Sequence, residues 1–229
     1  MKTVNTVPEI LSTFPDSHFD RQRWRDYAGA IHPALPKLCE EDTAKYEFEK
    51  DVLPVMEAAL GEPERIRRLG SRFENVVAEL QERLPVLFDK ECEATVVLYL
   101  GLCNAAGWVT FLGGKKVILL GVEKILELNW DSEEKLKPLL YHEIGHIWHE
   151  TYGNLEFPAH TQRRQSMLQL WQEGIAMVCE QILSGDERYY HQDENGWLAW
   201  CQEQEPMIKK EYGRRLEQEE STQDFFGDW

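Results

Sequence analysis

The chain has 229 residues, 42% of them hydrophobic, which suits one domain with a sizeable apolar core and no need of cross-links. Lys and Arg total 25 against 41 Asp and Glu, a formal net charge of -16 that works against capture by nucleic acid or an anionic membrane. A cationic peptide or a metal ion is the easier partner, although most of this charge reads as a solvated surface.

Residues 1–15 lack the basic start and apolar run of a secretory signal, and no stretch approaches the ~18 apolar residues of a membrane span. Residues 19–88 read as helical, with apolar residues at three and four spacing over 46–60 and 65–84 and punctuation at Gly61 and Pro63. In the second stretch Ile66, Leu69, Phe73, Val76, Val77, Leu80 and Leu84 form one stripe, expected to face the core. The pattern changes at residues 94–102, a short apolar run rich in β-branched residues. Residues 109–112, Gly113-Gly114 and residues 115–120 then read as a β-hairpin.

After Gly121 a helical segment carries Ile125 and Leu128, and Asp131 with Glu134 predicts a capping box for the next helix. That helix either begins at Pro138 or begins near Ser132 and is kinked by it. Gly153 and Pro158 mark a loop, residues 161–183 a further helix stopped by Ser184-Gly185, and residues 197–220 a polar helical stretch interrupted at Pro206. The five cysteines, Cys39, Cys92, Cys103, Cys179 and Cys201, have no C-x-x-C spacing and read as reduced thiols of a soluble, cytoplasmic protein. The aromatic finish Phe225-Phe226-Gly227-Asp228-Trp229 is unusual for a free tail and is compatible with a native chain that continues.

Chemistry concentrates at His142-Glu143-Ile144-Gly145-His146. Residues four apart on a helix are separated by about 40° around the axis and roughly 6 Å along it, so His142 and His146 can converge on one ion. Glu143 is then placed to take a proton from water rather than to bind the metal. A third protein ligand must come from elsewhere, and the best candidate is Glu173 in Trp171-Gln172-Glu173-Gly174-Ile175-Ala176, where Gly174 and Ala176 would let two helices approach closely. His160 and Glu180 are the next to test.

With these residues the chain resembles a zincin of the gluzincin type, in which a helix carrying H-E-x-x-H is followed by a glutamate ligand on a second helix. Residues 94–183, with HEIGH and the later QEGIA, are similar to small bacterial predicted zinc-dependent protease families. The pattern H-E-x-x-H-x-x-G-x-x-H is absent, since His149 stands at its glycine and Tyr152 at its third histidine. His149 shares the face of His142, but three ligands at that spacing would stretch along about 10 Å of helix.

The resemblance implies an α+β, zincin-like fold, mainly helical with a small sheet or hairpin before the metal-binding helix. One metallopeptidase-like domain is expected over residues 1–229: a helical part (1–90), the zincin core (91–185) and a helical extension (186–229). It further implies a Zn2+-dependent hydrolase acting on a peptide or protein, with His142, His146 and Glu173 as ligands, Glu143 as general base and the hairpin strand of residues 115–120 as the edge offered to an extended peptide. No nucleic-acid or membrane partner is expected. A second oxyanion donor is expected among Tyr152, His160, Tyr189, Tyr190 and His191. The rival readings are a non-catalytic metal-binding or regulatory domain on the same scaffold, and an acidic binding module without metal.

Overall fold

The computed structural model describes residues 1–88, 92–154, 158–190, 193 and 195–226. It is α+β, mostly helical with one small sheet among the described residues. Four strands, β1 (Lys2–Asn5), β2 (Thr95–Tyr99), β3 (Gly107–Leu112) and β4 (Lys115–Gly121), lie in the order β1-β2-β4-β3. β1 and β4 both run parallel to β2, with Lys2 opposite Thr95 and Thr95 opposite Val117, and β3 returns antiparallel to β4.

The hairpin follows the sequence expectation: Gly113 and Gly114 have φ of +59° and +76°, the left-handed pair a two-residue turn requires. Its edge does not. β2 covers the far side of β4, so residues 115–120 are interior and, among the described residues, the edges of the sheet are β3 and β1. β1 itself is not foreseen, because KTVN is short and partly polar and pairs with residues more than ninety positions away.

Helices α1 (Val7–Thr13), α2 (Arg21–Ile31) and α3 (Leu35–Thr43) cover one face of the sheet. The Trp24 indole N–H donates to the Leu100 carbonyl at 2.9 Å, and the Tyr27 hydroxyl lies 2.6 Å from Thr6 Oγ1 while accepting from the Leu100 N–H. The expected helix over 46–60 is divided into a π-helical turn (Phe48–Val52) and α4 (Leu53–Leu60). In α5 (Pro63–Leu87) all seven residues of the apolar stripe are buried, as expected.

After α6 (Val122–Glu127) comes α7 (Glu133–Tyr152), which lies with α5 on the other face of the sheet. Ser132, whose Oγ accepts from the Lys135 N–H, caps α7, and Pro138 lies inside it. The expected box is therefore replaced: Asp131 instead pairs with Arg65 and Arg72 of α5. Next come α8 (Gln162–Ser184), ended by Gly185 at φ +74°, then α9 (Trp197–Glu203), α10 (Glu205–Glu217) and a 3-10 turn (Gln223–Phe226). One hydrophobic cluster joins the N-terminal helices to the later elements, from Val7 and Trp24 to Ile144 and Leu183. No described helix is long and apolar enough to cross a membrane.

Candidate metal centre

α7 and α8 cross where two small residues meet. A Cβ on Gly145 would stand 2.7 Å from the Ala176 Cα and 3.0 Å from the Cys179 Cβ, so only glycine permits this approach. The expectation for Gly174 is corrected: a Cβ there would meet nothing within 4 Å, and the glycine at the crossing is the one inside HEIGH.

This crossing brings three donor atoms together. His142 Nε2 lies 3.2 Å from Glu173 Oε2 and 3.2 Å from His146 Nε2, and His146 Nε2 lies 3.7 Å from Glu173 Oε2. In a tetrahedral zinc site with ligands about 2.1 Å from the ion, ligand atoms stand about 3.4 Å apart. The triangle fits that requirement, and the donor set of two imidazoles and one carboxylate suits zinc chemically.

Behind the triangle, Glu180 Oε2 lies 3.6 Å from His142 Nδ1 with its side chain only 1% exposed. A carboxylate on the far nitrogen of a ligating imidazole fixes the ring's tautomer and orientation. The sequence offers Glu180 only as an alternative ligand. Its seven-residue offset from Glu173 is the signal that both carboxylates lie on one helix face.

The field here is strongly negative. Burial opposes charge on His142, but the hydrogen bond to Glu173 and the Glu180 carboxylate 3.6 Å from its other nitrogen overcome it and raise the imidazole to about 10. Burial, with the neighbouring His142 charge, lowers His146 to about 4. Glu173 would be raised by burial, yet its hydrogen bond to His142 and the charges of both imidazoles hold it below the usual carboxylate range. A cluster that holds one proton this firmly attracts a cation, and a metal must displace that proton to bind.

Glu143 lies beside the triangle, 5% exposed. Burial above all raises it to about 7; Glu173 adds to the rise and His142 opposes it. Room for its carboxylate comes from the first residue of β3, since a Cβ on Gly107 would stand 2.8 Å from Glu143 Oε1 and 3.0 Å from Leu139 Cδ1. Nothing local in the sequence marks Gly107, whose role depends on a strand and a helix meeting across 36 residues.

No protein-family model, curated protein or solved structure matches the chain. The site rests on its own geometry.

Of the remaining candidates, His149 is buried and meets the Trp171 ring edge-on at 4.9 Å, outside the three-ligand group. His160 is exposed and also outside it. Tyr152 is exposed and lies against Trp148, at 4.7 Å between ring centroids. Tyr190 is close enough to Glu173 and Glu180 for their charges to raise its phenol, which burial chiefly pushes up to about 12. Tyr189 is raised by burial and by Glu180 but not by Glu173. His191 lies outside the described residues.

Proposed function

We propose that the chain is a zinc-dependent peptidase of the gluzincin type. The observation that carries this is the triangle of His142 Nε2, His146 Nε2 and Glu173 Oε2, with the buried Glu143 carboxylate on its flank. A purely structural site has no use for such a carboxylate, because nothing in holding an ion requires a buried base beside it.

His142, His146 and Glu173 hold the metal, and Glu180 orients the His142 ring from behind. Zinc in that position supplies Lewis acidity, acidifying water and polarising a carbonyl. Glu143 takes the proton released by the attacking water and returns it to the leaving amine. An extended peptide adds to the free edge of β3, where Gly107 lets its backbone run past Glu143. Among the candidates for a second oxyanion donor, Tyr190 is the first to test, because the charge of Glu173 reaches its phenol.

The test is a mixed peptide library incubated with zinc-loaded protein and read by mass, with a chelator control. Wild type is expected to cleave, Glu143→Gln to retain about one equivalent of zinc with a rate lower by about 10²–10⁴-fold, and Glu173→Ala to lose metal and activity together. Cleavage undiminished in Glu143→Gln would overturn the assignment.

A further inference from the structure

On the sheet face away from α7 and α8, a cleft of about 590 Å³ opens between the strands below and α1 and α2 above, within the size range of small-molecule sites. None of its lining residues belongs to the metal centre. Its floor is Val4, Val97 and Val117, contributed by the adjacent strands β1, β2 and β4, so an apolar strip about 10 Å wide runs across it.

One end of this strip is cationic, in a chain whose net charge is -16. Lys2 and Lys115 stand at the starts of β1 and β4, and neither forms an ion pair among the described residues. His32 lines the same end. The Ala34 N–H donates to His32 Nδ1 at 3.2 Å, so in the neutral ring Nε2 carries the proton. That Nε2 lies at the hairpin turn just before Lys115, where a Cβ on Gly113 would come within 3.1 Å of it. Two ammonium groups and an N–H donor thus border an apolar strip, with Glu9 the one carboxylate in the lining.

We propose that this cleft binds a small amphipathic carboxylate, its head group held by Lys2, Lys115 and His32 and its apolar tail laid along the valines. Charge selects the head, since three donors face it in a chain whose net charge is -16. The strip selects the tail, because covering it removes apolar area from water.

Calorimetric titration of the metal-free full chain with decanoate, decanol and acetate tests this, the metal being absent so that a carboxylate cannot ligate zinc. Decanoate is expected to bind at one site, with decanol and acetate at least tenfold weaker. The double variant Lys2→Gln/Lys115→Gln should lose at least tenfold in decanoate affinity, and Ala30→Trp, a plug at an exposed lining residue, should abolish binding with an unaltered circular dichroism spectrum. No binding by wild type, equal binding of decanol, or unchanged decanoate binding in either variant would overturn the proposal.

Discussion

Glu123, Glu143 and Glu180 are all buried, and their neighbours differ: two backbone N–H groups for Glu123, His142 and Glu173 for Glu143 and the His142 ring for Glu180. If Glu180 orients His142, Glu180→Gln should weaken zinc binding by about 10–100-fold while the thermal midpoint of the metal-free protein changes little. Equal zinc affinity in a competitive chelator titration would show that its role is packing alone. Glu123 accepts from the N–H groups of Gly101 and Cys103, yet burial dominates and raises it to about 7 from 4.5. Between those values the folded chain keeps a proton the unfolded chain has lost, so the stability this group contributes below about 4.5 is lost as pH rises through about 7. Urea midpoints should therefore fall across that window in wild type, and the fall should be shallower in Glu123→Gln. Equal slopes would mean that other groups set the dependence.

At the scale of elements, two glycines near the site should respond with opposite signs. Gly174 faces open space on α8, so Gly174→Ala should stabilise by up to about 1 kcal/mol through helix propensity. Gly145→Ala gains the same propensity but drives a methyl into the Ala176 backbone, and overpacking of about 1–3 kcal/mol outweighs it. Thermal melts of both variants decide this, and a stabilised Gly145→Ala would refute the close crossing. What the sequence discloses here is what local spacing determines: the His142 and His146 face, the Gly113-Gly114 turn, the buried stripe of α5 and the Gly185 stop of α8. Gly145 at the crossing, Gly107 beneath Glu143 and Asp131 diverted to Arg65 each depend on a partner distant in sequence. A local pattern carries no record of such a partner. Glu180 is intermediate, since its helix face is legible and its imidazole is not.

Across the whole molecule the sheet separates two groups of side chains, the candidate metal ligands beyond β3 and the lysine-bordered cleft on the opposite face. All five cysteines are free, and burial pushes the Cys179 thiol up to about 11 and Cys39 up to about 12. Thiol counting in denaturant on protein from its own cells should therefore give five, whereas a count of one would show that four are oxidised and that the protein matures in an oxidising compartment. The register of β1 carries one more consequence, in time rather than space. Lys2 pairs with Thr95, so during synthesis at about 5–20 residues per second the first strand waits roughly 5–20 s for its partner to emerge. Over that interval its backbone donors and acceptors are an open template for other chains. Four residues, three of them Lys2, Thr3 and Asn5, make that template short and polar, which protects the nascent chain until β2 arrives.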